Sequence, residues 1–248
     1  MIRIAAVGDV HFGEDSAGAL QPHLAGLAEA ADLLVLAGDL TRCGSAAEAA
    51  VLAKELDGLP LPVFAVLGNH DYHADENDAI TRVLVDAGIR VLEGDGEVVT
   101  VGGTRVGVAG VKGFGGGFAG ACGSDFGEPE MKSFIRHTKQ TAAGLERALG
   151  SLDADVRICL LHYSPVEETL RGERLEIYPF LGSYVLAEAI DRAGADVVFH
   201  GHAHAGSEKG VTPGGIRVRN VAQPVIRHAF NHYCIDETGL GDCRPIRG

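Results

Sequence analysis

Short apolar, β-branched runs recur along the chain at residues 2–7 (IRIAAV), 32–37 (DLLVLA), 61–67 (LPVFAVL), 105–111 (RVGVAGV), 156–162 (VRICLLH), 195–200 (ADVVFH) and 216–222 (IRVRNVA). Each has the length of a strand. Between the early runs the spacing becomes helical, at 17–31, at 45–56 with Ser45 and Glu48 placed as a capping box, and at 77–88 ending in Gly88. Strands alternating with helices predict βαβ units and a parallel sheet in an α/β domain. From about residue 97 the helices thin out, and GEVVTVGGTRVGVAGV predicts a hairpin around Gly102 and Gly103, hence a second, partly antiparallel sheet. Residues 112–130 are too glycine-rich for regular structure and predict a mobile loop, whereas 131–149 returns to helical spacing through Leu145 and Leu149. Neither a repeat nor a linker interrupts the pattern, so one domain over residues 1–248 is expected.

Composition changes this picture in three respects. A chain of 248 residues that is 46% hydrophobic can bury a substantial core. Its formal charge of −13 argues against nucleic acid as a partner, because a polyanion needs a basic face. Cys43, Cys122, Cys159, Cys234 and Cys243 are odd in number and form no C-x-x-C pair, which predicts a reducing compartment without a disulfide or zinc-ribbon framework. The apolar run before Gly8 is too brief for a secretion signal, and no apolar stretch approaches the ~18 residues of a membrane span, so the cytoplasm is the expected location.

Chemistry gathers where the strands end. GDVH follows the first run, GDL the second, GNHD the third, HYSP begins with His162, and HGHAH follows DVVF. In open α/β sheets the carboxyl ends of parallel strands share one edge, so Asp9, His11, Asp39, Asn69, His70, His162, His202 and His204 can converge. Asp, His and Asn donors without thiolate suit divalent Mn, Fe, Zn or Ni, and they outnumber the ligands of one tetrahedral centre. Two ions are the economical solution.

The ordered set DVH, GD, GNHD, H and GHAH resembles the signature of the calcineurin-like metallophosphoesterases, over residues 1 to about 235. The resemblance implies a four-layer αββα sandwich, with two mixed β-sheets flanked by helices. It also implies two divalent metal ions and hydrolysis of a small phosphodiester or phosphomonoester by a metal-bridging hydroxide. In that frame Asp9, His11 and His204 hold one ion, Asn69, His162 and His202 the other, and Asp39 bridges them. His70 faces the phosphate and protonates the leaving group, with Asp71 orienting it. Two divalent ions held by two carboxylates and a hydroxide leave a local charge of about +1, which lets a phosphate approach an acidic protein.

Neighbouring residues carry weaker signals. His73 and His200 read as supports, and His23, His137, His228 and His232 as surface or core residues. GGGFAG at 115–120 matches a dinucleotide-binding glycine pattern in spacing but lacks the βαβ context, and a lid bordering the site or a plain surface loop fits this segment better. Arg171, Arg174 and Tyr178 are candidates for substrate contact. Arg42 occupies the position where related purple acid phosphatases carry a tyrosinate ligand, and GDLTRCG replaces the GDxVDRG run of protein Ser/Thr phosphatases. Those departures speak against tyrosinate ligation and phosphoprotein turnover, while the retained His11 and the compact size resemble the small-phosphodiester branch, in features that broad phosphatases share. A scaffold that keeps the fold without catalysis, and a nuclease, are the alternatives.

Overall fold

The structure is a computed structural model that describes residues 1–236 and 239–243. Two six-stranded mixed sheets form its centre. Across the first sheet the order is Gly239–Asp242 (β14), Asn231–Asp236 (β13), Ile2–Val7 (β1), Leu33–Ala37 (β2), Val63–Val66 (β3) and Arg90–Val91 (β4). From β1 to β4 the strands are parallel, and β13 and β14 add antiparallel neighbours. The second sheet runs Lys209–Val211 (β11), Arg217–Asn220 (β12), Val197–His200 (β10), Val156–Leu161 (β9), Thr104–Val111 (β6) and Asp95–Val101 (β5). Here β6, β9, β10 and β12 are parallel, and the expected hairpin pairs β5 with β6 so that Val101 meets Thr104 across Gly102 and Gly103.

Side-chain alternation explains why the sheets stack. In β6, β9 and β10, Val106, Val108, Ile158, Leu160, Val197 and Phe199 join one core with the first sheet. Their sequence neighbours Ala109, Cys159, Leu161 and Val198 point the other way, into a second core with Leu145 and Leu149 of the helix Pro129–Ser151 and Leu186 and Ile190 of the helix Tyr184–Ala193. The helices Ala46–Leu56 and Asn77–Asp86 bring Leu52, Leu56, Ile80 and Leu84 to the first sheet. Helix, sheet, sheet and helix therefore form the four expected layers. Ser45 and Glu48 close their capping box, with the Glu48 amide donating to Ser45 Oγ at 3.2 Å.

Three expectations are corrected. Residues 17–31 form two short helices, Gln21–Leu24 and Leu27–Ala30, instead of one, because Gly26 between them adopts φ 78° and the amides of Gly18, Leu20 and Gln21 donate to the buried Glu55 carboxylate. The segment 112–130 is not a free loop. It forms a small hairpin of Gly117–Phe118 (β7) and Ala121–Cys122 (β8), and the Gly116 and Gly117 amides donate to the Pro179 and Gly182 carbonyls at 2.7 and 2.9 Å. A Cβ on Gly115 would stand 2.5 Å from the Pro179 carbonyl oxygen, so the glycines serve close packing there. Finally, Cys234 and Cys243 form a disulfide, where none was expected. The pattern of spacings could not reveal it, because residues nine apart meet only once β13 and β14 fold back on each other. Cys43, Cys122 and Cys159 are free. No helix among the described residues is long and apolar enough to cross a membrane.

Candidate metal centre

Each parallel strand hands its chain to the same edge. Asp9 and His11 follow β1, Asp39 follows β2, Asn69 and His70 follow β3, His162 follows β9, and His202 and His204 follow β10. Ligand atoms of Asp9, His11, Asp39 and His204 lie within 4.8 Å of one another, as do those of Asp39, His162 and His202. Asp39 belongs to both groups. Asn69 joins the second, its Oδ1 standing 2.9 Å from His162 Nε2.

The local backbone is bent to achieve this. Of six non-glycine residues with positive φ among the described residues, four are in the cluster: Asp9 (59°), His11 (45°), Asp39 (49°) and His202 (69°). Such conformations cost energy and persist where surrounding contacts fix them. Those contacts are visible: the Asp9 amide donates to Gly38, the His11 amide to Asp39, the His70 amide to Asp39 Oδ1 at 2.8 Å, and the His202 amide to Asp9 Oδ2 at 2.9 Å. A glycine precedes Asp9, Asp39, Asn69 and His202 because the next strand end occupies the space of a side chain. A Cβ on Gly68 would lie 2.1 Å from Asp39 Oδ1, and one on Gly201 would lie 2.2 Å from Asp9 Oδ2.

The donor set fits divalent cations. His162 donates from Nδ1 to the Ala37 carbonyl, which leaves its Nε2 lone pair facing two oxygens, Asn69 Oδ1 at 2.9 Å and Asp39 Oδ1 at 3.3 Å. Burial holds the His162 imidazole neutral, well below the usual histidine range, so protonation does not resolve that convergence of acceptors. A cation would. His202 is similar: burial lowers its pKa to about 3, and Nε2 donates to the Phe180 carbonyl at 3.2 Å, leaving Nδ1 bare. Burial and, further down the order, the charge of Asp39 raise the Asp9 carboxyl to about 6, although His204 Nε2 stands 2.7 Å from its Oδ1. Two carboxylates and several neutral imidazoles thus share a desolvated site.

His70 and Asp71 lie together in the 3₁₀ turn His70–Tyr72, yet not as a pair. Adjacent residues of a helical turn do not face each other. Asp71 accepts instead from the amides of Gly68 (2.7 Å), Leu40 (3.2 Å) and Thr41 (2.8 Å) and from Thr41 Oγ1 (2.6 Å), which corrects its assignment as the group that orients His70. His70 Nδ1 donates to the Arg42 carbonyl at 2.8 Å, and its ring packs edge-on against His11 with centroids 4.5 Å apart. His200 is a buried support that bonds Thr169 Oγ1 and the Gly201 carbonyl, both at 2.8 Å. Arg171 and Arg174 are exposed on the segment that meets residues 205–207, while the Tyr178 hydroxyl donates to the Leu170 carbonyl. One residue beside the cluster went unnoticed in the sequence, Lys112, a lone cation directly after β6; Thr41 and the Phe180 carbonyl were also missed, since nothing in their local spacing marks them.

This fold and this edge define a phosphoesterase of the calcineurin-like class. Residues 2–206 match the model of the calcineurin-like phosphoesterase family, and the chain belongs to that family as a metal-dependent hydrolase. Among curated proteins, no sequence matches. Similar solved structures include the phosphopantetheinyl hydrolase PptH from Mycobacterium tuberculosis (TM-score 0.67, 16% identity, covering 98% of this chain and 95% of that one). GAP50, the anchor in the inner membrane complex of Plasmodium, gives a TM-score of 0.57 at 13% identity, covering 96% and 82%. TT1561 of Thermus thermophilus gives 0.55 at 19%, covering 88% of each chain. At these identities the likeness concerns the fold alone.

Proposed function

We propose that this chain hydrolyses a small phosphodiester or phosphomonoester with two divalent ions, one held by Asp9, His11 and His204, the other by Asn69, His162 and His202, with Asp39 shared. The observation that carries this reading is the membership of Asp39 in both ligand groups. When bound, the ions supply Lewis acidity that lowers the pKa of water and neutralises charge on the phosphoryl oxygens. The protein supplies the rest. Strand-end amides fix Asp9 and Asp39, and the Ala37 and Phe180 carbonyls fix the ring orientation of His162 and His202. His70, with Nδ1 committed to the Arg42 carbonyl, keeps Nε2 to pass a proton to the leaving oxygen. Asp71 ties Gly68, Leu40 and Thr41 together and so holds the loops that carry Asp39, Asn69 and His70.

A scaffold role, which the description of GAP50 as an anchor brings to mind, is disfavoured by the complete donor set here. A nuclease is disfavoured by the net charge of −13. Hydrolysis of chromogenic phosphodiester and phosphomonoester probes, measured with Mn, Fe, Zn or Ni and again after chelation, tests the proposal. Metal-dependent turnover of either probe is expected, and no turnover with any of the four ions overturns it. A cytoplasmic location and the Cys234–Cys243 disulfide are opposed expectations, because a reducing compartment would open the bond; thiol labelling in rapidly quenched cells decides between them.

A further inference from the structure

Lys112 is 8% exposed, among the deepest places a lysine occupies. Its ammonium lies over three aromatic rings, with Nζ 4.9 Å from the centroid of Tyr72, 5.0 Å from Phe114 and 5.3 Å from Tyr163. Cation–π attraction to three faces offsets part of the cost of burial. None of the three N–H donors on Nζ has a hydrogen-bond acceptor among the described residues, and no carboxylate there lies within ion-pair distance. The Glu93 carboxylate, the nearest candidate in sequence, accepts from the Lys112 backbone amide at 3.2 Å.

The position ties this cation to the metal edge. The Lys112 carbonyl accepts from the amides of His162 and Tyr163, both at 3.0 Å, so its backbone and that of a proposed ligand are bonded directly. The Tyr163 ring neighbours both groups, its centroid 5.3 Å from Nζ and 4.4 Å from the centroid of the His202 ring. Burial lowers the Lys112 pKa, and the charges of Glu93 and then of Asp39 act against that. Tyr72 and Phe114 are only partly buried, and beyond Phe114 opens a cavity of about 560 Å³ lined by Phe134, His137 and Pro129. The cage is thus walled by the buried Tyr163 ring and by two rings, Tyr72 and Phe114, that are partly exposed.

An ammonium on a largely buried side chain, walled by aromatic rings and with donors free of protein acceptors, is suited to an oxyanion that arrives from outside. We infer that Lys112 is a substrate-positioning residue, whose ammonium binds an anionic oxygen of the phosphoester on the His202 side of the cluster. This rests on the phosphoesterase reading above, and goes beyond it by naming a cation that no part of the metal-ligand pattern contains. It also supplies an attractive charge that an acidic surface does not.

The test compares wild type, Lys112→Met, which keeps length and aromatic contact without charge, and Lys112→Arg, all loaded with Mn. Calorimetric titration with inorganic phosphate should show about tenfold or greater loss of affinity in Lys112→Met and recovery in Lys112→Arg, with bound Mn unchanged. With a chromogenic phosphoester, KM should rise by a similar factor while kcat changes little. Phosphate affinity and KM within about twofold of wild type, at equal Mn content, overturn the inference, and so does an equal loss in the Arg variant. Should the Met variant not fold, Lys112→Gln is judged by the same criteria. Wild-type turnover with an unaffected Lys112 variant sinks this inference alone; charge-dependent phosphate binding without any turnover sinks the hydrolase reading and leaves Lys112 as an oxyanion-binding residue only.

Discussion

Replacing Asp39 by Asn removes one negative charge from the side chain that both ligand groups share, while keeping its shape and the acceptor for the His70 amide. In the metal-free protein, ligand atoms of Asp9 and Asp39 lie within 4.8 Å. At an effective dielectric constant of about 20, two full charges at that separation repel by about 3 kcal/mol. His204, beside Asp9, and His11, 3.9 Å from Asp39, offset part of this. Relief of about 1–2 kcal/mol is then expected, which raises the melting temperature of a domain of this size by about 2–8 °C. With metal the sign reverses: Mn at about 100 times its Kd adds about 2.7 kcal/mol to the wild type, and the variant forfeits most of that gain. Thermal melts in chelator and in graded Mn read both effects. A variant that melts below wild type in chelator, or that gains as many degrees from Mn, refutes the assignment of Asp39 as the shared carboxylate.

His70→Ala should lower kcat by about 10²–10⁴ while leaving bound Mn unchanged by elemental analysis; loss of metal would instead make His70 a support of the centre. Gly68→Ala drives a Cβ toward Asp39 Oδ1 and should cost about 1–3 kcal/mol and weaken Mn binding, so an unchanged Mn titration contradicts the close-packing account of that glycine. Leu145→Ala, at the centre of the second core, should cost about 2–5 kcal/mol in denaturant unfolding without changing the Kd for Mn. Burial pushes the Asp32 carboxyl up, but the side-chain and backbone hydrogen bonds from Arg3 outweigh it and hold its pKa below the usual range. A folded-state pKa depressed in this way contributes stability that is present above about pH 4 and lost as pH falls through the folded value, so Asp32→Asn should flatten the acid side of a melting-temperature profile.

The parallel strands and the residues at their ends were legible because both obey local rules. A short β-branched run reads as a strand, and Gly followed by Asp, Asn or His at four of the five exits marks a sharp bend that ends in a metal-ligating side chain. What escaped depends on contacts between distant segments. Asp71 follows His70 directly, so sequence adjacency suggested a partnership that the geometry of a 3₁₀ turn forbids. Residues 112–130 look like a free loop by composition, yet the Pro179 and Gly182 carbonyls that pin it lie about sixty residues away. The lone Lys112 carries no motif at all, and only the meeting of Tyr72, Phe114 and Tyr163 around it shows its setting.

Strand β1 is held on one side by β2 and on the other by β13, which pairs Ile4 with Tyr233 and Ala6 with Asn231. The residue that opens the ligand series, Asp9, is thus carried on a strand whose second neighbour is translated more than two hundred residues later. A ribosome must have extruded β13 as well before that strand is flanked on both sides. Such long-range pairing slows folding and leaves the nascent chain with an unpaired hydrophobic edge until residues 231–236 emerge. Competence to capture metal therefore waits on residues 231–236, and truncated products that lack them should emerge without it.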